Sequence, residues 1–512
     1  VKNPEQGMSK STVGRTYLDD LLILVTVVLL GSCSTTDFAS LQPQDGVEVA
    51  TRVTSPWPSH AGPGSARFTD VALISKENLQ RLKPAWTFRT GETNEIFQNT
   101  PILAGGLLVV CSPFNKVSAL DPLTGAQVWT YDPEIARVRY PNLANCRALA
   151  QWSDSEAATQ LEPIGQTVNA CVNRLFMATN DARLIALDGL TGMVCAEFGS
   201  GGEIDLKAGV GQLSWAQEYQ VSSPPAVVGD VVVVGSAVAD NQRIDAPSGV
   251  VRGYDVRSGK LVWAFDLAPP DFDYATGLVS EAGYALGTPN VWSGFAVDQP
   301  RDMVFLPTGN PAPDYARNPG PDMAHYGSSV VALRGSTGEL IWHFKTVERD
   351  FWDFDVPSIP SLVDLQLAGR SVPALIQSTK MGFIFLLNRE TGEPVIEVER
   401  REVPRFGPLK DQLSPTQPFP PEAFQVSRQY VKGQSPMGLC GSMEEESQVG
   451  EIYTPITEQW TIGLPSNMGA TNWGGVAVDA QRGLIALHSN NIAFRTKLLD
   501  KSKAPPELLD TM

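Results

Sequence analysis

An all-β fold built from repeated four-stranded sheets is what this sequence predicts, and three observations predict it. A short turn phrase recurs along the chain. Each copy follows an apolar run rich in β-branched residues. Glycine and proline are abundant (45 and 39), while no long stretch keeps helical periodicity between caps.

The clearest copy of the phrase is Ala119-Leu120-Asp121-Pro122-Leu123-Thr124-Gly125, with Trp129 four residues on. Ala186 to Gly192, Gly253 to Gly259 with Trp263, Ala332 to Gly338 with Trp342, and Leu386 to Gly392 repeat it. Their glycines stand 67, 67, 79 and 54 residues apart, which is the spacing of propeller blades with loop insertions. Within the phrase, Asp is expected to bond its own backbone and Gly to take the positive-φ position of a hairpin turn. Leu107 to Val110 and Val231 to Val234 are typical preceding strands, and Leu340 to Phe344 a typical following one. The Trp offers a large flat side chain for packing between neighbouring sheets. The phrase is therefore architecture and carries no chemistry of its own.

The chain ends differ from this pattern. Lys10 and Arg15 precede an apolar run, Leu21 to Leu30, and Leu30-Gly31-Ser32-Cys33 reads as a lipobox. Residues 1–33 are expected to be a lipoprotein signal segment with Cys33 as the lipidated residue, because the run is too short for a comfortable membrane span. Residues 34–52 read as a polar tether, and 53–512 as the propeller. A net charge of −17 without a basic block argues against nucleic-acid binding. Cys111, Cys146, Cys171, Cys195 and Cys440 are open to pairing in an exported protein, in a pattern that spacing leaves undecided. No Cys-x-x-Cys-His haem motif and no zinc spacing occur.

The segments between the repeats carry a resemblance. Trp57-Pro58-Ser59-His60, Ala85 to Gly91, Cys146-Arg147, Asn180 to Asp188, Gly249 to Gly253, Trp352-Asp353-Phe354-Asp355, Thr379-Lys380-Met381-Gly382, Leu464 to Gly469 and Asn472-Trp473-Gly474-Gly475 run in order from about residue 53 to 500. Together they resemble the pyrroloquinoline quinone (PQQ)-dependent, or quinoprotein, dehydrogenases of the membrane-bound glucose and quinate type. The resemblance implies an eight-bladed propeller, of which about six blades fall within this sequence, leaving it C-terminally incomplete. It also implies a lipid on Cys33 in place of the family's helical membrane anchor.

PQQ is a flat tricarboxylate bearing an ortho-quinone, so its site needs cations, a flat floor, a hard metal and a base. By resemblance, Asp353 is the base that accepts the alcohol proton, with Asp355 as structural support. Lys380 holds the quinone oxygens, and Trp292 stacks under the ring. Asp240 and Asn310 supply oxygen ligands to Ca²⁺ or Mg²⁺, with Asn241 a weaker neighbour. Arg89 and Arg147 pair with the PQQ carboxylates, and Asn472 and Trp473 lie near the ring axis. His60, His325 and His343 read as structural.

Three positions depart from the family: Leu143 three residues before Cys146-Arg147, Glu348-Arg349-Asp350 before the Trp-Asp motif, and His488. They count against glucose as the substrate. The expected activity is oxidation of a sugar, polyol or cyclic alcohol such as quinate, in the periplasm, by a lipid-anchored protein that passes electrons to membrane quinone. The alternatives are a non-catalytic propeller lipoprotein that scaffolds outer-membrane assembly and a degenerate quinoprotein that keeps the fold without turnover. Scaffolds of that kind lack the base, lysine and metal positions together.

Overall fold

The computed structural model describes residues 57–499 apart from 93–95, 155–170, 242, 316–321, 429 and 434–440. The expected signal segment, Cys33, the tether and Cys440 lie outside the described residues. Among the described residues no helix is long and apolar enough to cross a membrane.

Four antiparallel sheets each hold four strands. The first runs through Ile102–Ala104, Leu107–Cys111, Val117–Leu120 and Gln127–Tyr131. The second comprises Ala150–Ser153, Asn173–Ala178, Arg183–Asp188 and Glu203–Asp205. The third comprises Ala226–Val228, Val231–Val234, Val251–Asp255 and Leu261–Phe265, and the fourth Ala296–Asp298, Met303–Pro307, Ser329–Arg334 and Leu340–Lys345. A fifth sheet pairs Ser361–Leu367, Arg370–Ser378 and Ile384–Asn388.

These sheets stack face to face in chain order, and the strand period of two explains how. Leu175 and Met177 pack with Val109 and Val117 of the first sheet. Their neighbours Phe176 and Ala178 turn the other way, against Val232 and Val234 of the third. Val231 and Val233 in turn pack with Val304, Leu306 and Val331 of the fourth sheet, and Phe305 and Val330 with Leu375 and Phe385 of the fifth. A central strand buried on both faces has no polar side to show, which is why Val231 to Val234 is an unbroken valine run.

The turn phrase behaves as its residues predict. Asp121 Oδ1 accepts from the backbone N–H of Leu123 and Thr124 (2.9 and 2.8 Å) and from the Thr124 hydroxyl (3.0 Å). Asp188 and Asp255 repeat the pattern. In the fourth copy Arg334 stands in the Asp position, and Asp302 from the adjacent turn accepts from Ser336 instead. Four of the five phrase glycines have a second duty. Gly125, Gly192, Gly338 and Gly392 lie at φ between 71 and 76°, and a Cβ on any of them would come within 2.4–2.7 Å of a tryptophan ring from the preceding sheet or segment. The rings belong to Trp86, Trp129, Trp263 and Trp342 respectively, and each indole N–H donates to a backbone carbonyl of the turn it covers.

Because the strands form a simple meander, the first-to-second and third-to-fourth turns lie at one end of every sheet. The second-to-third links and the segments leading into each first strand lie at the other. At that end a disulfide joins Cys111 to Cys146, while a second, Cys171 to Cys195, ties the first-to-second and third-to-fourth links of the second sheet at the phrase-turn end. The pairing that the sequence left open is thus between neighbouring segments of the first two sheets.

Candidate cofactor pocket

A cavity of about 490 Å³ opens among the links at the end opposite the phrase turns. Four sheets contribute to it. Arg147 leads into the second, Asp240 follows the second strand of the third, and Trp292 leads into the fourth, where Asn310 follows the second strand. Asp353 and Asp355 lead into the fifth, where Lys380 follows the second strand.

The segment Trp352-Asp353-Phe354-Asp355 alternates its side chains between core and cavity. Trp352 and Phe354 are buried in an aromatic group with Tyr453, and the Trp352 indole donates to the Thr454 carbonyl at 2.8 Å. Asp353 and Asp355 therefore both face the cavity, where Lys380 Nζ lies 2.7 Å from Asp353 Oδ1 and 2.5 Å from Asp355 Oδ1. The Trp292 indole donates to Asp355 Oδ2 at 2.5 Å. Asp355 is sealed at 6 % side-chain exposure, whereas Asp353 keeps 21 %, so Asp353 is the carboxylate a molecule in the cavity can reach. Its backbone sits at φ 58°, a conformation uncommon for a residue with a side chain and often found at functional sites.

Burial pushes the Asp353 carboxyl up to about 7, against the pull of Lys380 and with the help of the Asp355 charge. Burial opposes the charge on Lys380 too, but the two carboxylates outweigh it and hold the ammonium well above its ordinary value. Asp240 is also pushed to about 7, by burial and then by Asp355. Asp314 is raised well above the carboxylate range by burial and by the charges of Asp240, Asp353 and Asp355.

Arg147 is fully enclosed. Its Nη1 donates to the carbonyls of Trp292 and Ser222 (2.6 and 3.0 Å) and its Nε to Gln98 Oε1 (3.0 Å). The guanidinium lies 5.3 Å from the Trp292 ring centroid and 5.5 Å from that of Trp473. His60 Nδ1 meets the Arg147 carbonyl at 3.2 Å, and burial with the nearby Arg67 charge presses this imidazole down to about 3, leaving it neutral. On the far wall, Asn290 Nδ2 donates to Asp240 Oδ2 at 2.9 Å, while Asn290 Oδ1 is buried with no donor among the described residues. The Ser328 hydroxyl lies 2.7 Å from Asn310 Oδ1 and 2.8 Å from Asp350 Oδ2.

The structure thus gathers Asp353, Lys380, Trp292, Arg147, Asp240, Asn310 and Asn241 around one cavity. Trp473 joins through its contact with Arg147, and Asn472 braces the preceding turn through Met468 O (2.8 Å). Arg89 is not brought to this place: it is exposed and outside the lining. Sequence reasoning missed Asn290, Asp314, Tyr315 and Asn467. Asn290 stands two residues before Trp292, Asn467 lies within the Leu464 to Gly469 motif, and Asp314 and Tyr315 follow Asn310 in a proline-broken link, so nearness to those motifs is the available signal.

The residues fit the two groups that such a pocket implies. Lys380 and Arg147 supply cationic donors, and Trp292 and Trp473 supply aromatic faces. The Asp240 carboxyl and the orphan Asn290 Oδ1 supply hard oxygens. Four carboxyls of the lining, Asp240, Asp314, Asp353 and Asp355, face two cations, Lys380 and Arg147, an imbalance of the sign that a divalent cation relieves.

A family model described as "PQQ: Glucose/ethanol/alcohol dehydrogenase, beta-propeller domain" matches residues 57–509. This chain belongs to the PQQ β-propeller family of dehydrogenases. It is 32% identical to quinoprotein glucose dehydrogenase A of Acinetobacter calcoaceticus, over 90% of this chain and 60% of that protein. To the quinate/shikimate dehydrogenase (quinone) of Acinetobacter baylyi it is 33% identical, over 81% of this chain and 54% of that protein. The chain therefore spans less than two thirds of these relatives' length. Quinohemoprotein alcohol dehydrogenase from Comamonas testosteroni shares the fold, with a TM-score of 0.61 at 22% identity over 86% of this chain and 58% of that one.

Proposed function

We propose that this chain carries the cofactor-binding propeller of a quinoprotein dehydrogenase that oxidises the CH–OH group of a sugar, polyol or cyclic alcohol such as quinate. The observation that supports this reading most is the Lys380 ammonium shared by Asp353 and Asp355 beside Trp292 in one cavity. Family membership supports it independently.

PQQ, when bound, supplies the two-electron acceptor that takes the hydride from the substrate carbon. This chain's residues supply the rest. Asp353 accepts the hydroxyl proton as the alcohol becomes a carbonyl. Lys380 places a positive charge where negative charge gathers on reduction. Trp292 is fixed from both sides, by Asp355 at its indole and by Arg147 and Ser222 at its carbonyl, so its ring offers a rigid floor. Asp240, Asn290 and Asn310 are the oxygen donors for Ca²⁺ or Mg²⁺. The reading extends to a periplasmic protein held at a membrane by a lipid on Cys33 and passing electrons to membrane quinone; a relative named as a quinone-linked dehydrogenase supports the quinone acceptor by analogy.

The test is calorimetric titration of PQQ into the purified chain with Ca²⁺ or Mg²⁺, beside Asp240→Ala and Lys380→Ala. Metal-dependent binding that both variants lose is the expected result. A well-folded wild-type chain that takes up no PQQ in either metal would sink the proposal.

A further inference from the structure

Asp353 is held from two sides, and only one of them belongs to the cofactor pocket. Lys380 takes Oδ1 at 2.7 Å. Oδ2 points the other way, where the Tyr315 hydroxyl lies at 3.2 Å and Asn467 Nδ2 at 3.4 Å. Asn467 Nδ2 also donates to the Tyr315 oxygen at 2.7 Å. These residues arrive from separate places: Tyr315 from the long link of the fourth sheet, and Asn467 from a turn far along the chain.

The chemistry of this triangle sets its polarity. An amide N–H can only donate, so the Tyr315 oxygen must accept from Asn467. The single phenolic proton is then left to point at the carboxylate. Burial and the adjacent Asp353 charge hold the Tyr315 phenol far above its ordinary value, so it keeps that proton. A neutral donor on a carboxylate favours the ionised form, which is the form a proton acceptor needs.

We propose that Tyr315 and Asn467 are positioning residues that hold Asp353 ionised and turned, with Lys380 on one oxygen and the phenol directed at the other. This inference rests on the dehydrogenase reading for its catalytic meaning, but the hydrogen-bonded arm exists in the chain without cofactor. The left-handed backbone at Asp353 gives the arm a second task, since a strained residue persists only where its surroundings hold it. The groups facing Asp353 are Lys380, which favours its charge, and Asp355, Asp350 and Asp314, which oppose it. Against three opposing carboxyls, the loss of one neutral donor is a shift that can be read.

The experiment uses the cofactor-free chain with ¹³C-labelled aspartate carboxyls, the Asp353 signal being assigned by its disappearance in Asp353→Asn. In Tyr315→Phe, which keeps the ring and removes the proton, the Asp353 midpoint should rise by about one pH unit. Asn467→Ser should raise it less, since the phenol remains but loses its orientation. In the PQQ-loaded protein the acid limb of kcat/KM should move by the same amount. At about pH 6 Tyr315→Phe is then roughly ten-fold slower than wild type, and at about pH 9 nearly equal to it. A merely structural role would lower the rate evenly across pH. An unmoved Asp353 midpoint in a Tyr315→Phe chain with wild-type near-ultraviolet circular dichroism overturns the inference. Failure of the wild type to bind PQQ would instead remove the dehydrogenase reading, and the carboxyl titration would still decide whether the arm controls Asp353.

Discussion

Asp255 and Asp353 stand at opposite ends of the sheets and have opposite electrostatics. Asp255, in a phrase turn, accepts from the Ser258 hydroxyl and from the backbone N–H of Ser258 and Arg257, all local. Burial works against its charge, but these donors prevail and hold it below the ordinary carboxylate range. Asp353 sits in a left-handed backbone, faces other carboxyls and is pushed up to about 7. The turn end is satisfied and the loop end is in conflict. Conflict concentrated at one end of a regular framework is what a site built for charge and proton transfer costs, and the framework at the other end holds it in place.

Breaking the conflicted end should abolish chemistry without harming the fold. Asp353→Asn is expected to lower turnover by about 10³-fold in a dye-linked assay of the PQQ-loaded protein, within the usual range for loss of a general base. Its melting temperature should stay level or rise. A melting temperature that fell with the rate would show that Asp353 supports the fold instead.

The reverse holds for the regular end. Gly338→Ala places a methyl 2.7 Å from the Trp263 ring at a φ of 73°. It should cost about 2 kcal/mol in denaturant unfolding, from positive-φ strain and overpacking together. PQQ affinity of the folded fraction should be unchanged. Asp255→Ala is a milder break at the same end, worth about 1 kcal/mol because the turn amides it serves are near solvent.

The smallest effect sharpens the contrast through pH. A carboxyl whose pKa is raised by folding binds its proton more tightly in the folded state. Its stabilising contribution is full below the unfolded value near 4 and is lost as pH rises to about 7. Asp255, being lowered, contributes in the opposite direction, above the unfolded value. Between about pH 5 and pH 8 the loop-end carboxyls should therefore lower the melting temperature by about a degree or two. Ca²⁺ should restore it at pH 8 and do little at pH 5, and Asp240→Asn should remove both responses. Calcium that stabilised equally at both pH values would contradict the assignment of these carboxyls to a cation.

The turn end was legible in the sequence because its interactions are local. Asp121 meets residues two and three positions on, and Gly125 punctuates the same turn. The valine run at 231–234 marks a strand in the sequence, and the structure buries both of its faces. Five repeats of one local solution are enough to define an all-β propeller. At the other end the reading was partial. Asp353, Lys380, Trp292, Arg147, Asp240 and Asn310 were named through resemblance, and the structure brings them to one cavity, while Arg89 lies exposed away from it.

What only the tertiary structure decided are the partnerships across the chain. Lys380 shared by two carboxylates, Trp292 held by Asp355, Arg147 enclosed by Ser222 and Gln98, and Tyr315 with Asn467 on Asp353 all join residues from different sheets or links. Cys111 with Cys146 and Cys171 with Cys195 belong to the same class of fact. The repeat and the fold follow from the sequence alone, because turn geometry and strand burial are written within a few positions of one another. Which carboxylate stays open, which stays charged and what holds it depend on distances between residues far apart in the chain, and those exist only once the sheets have packed.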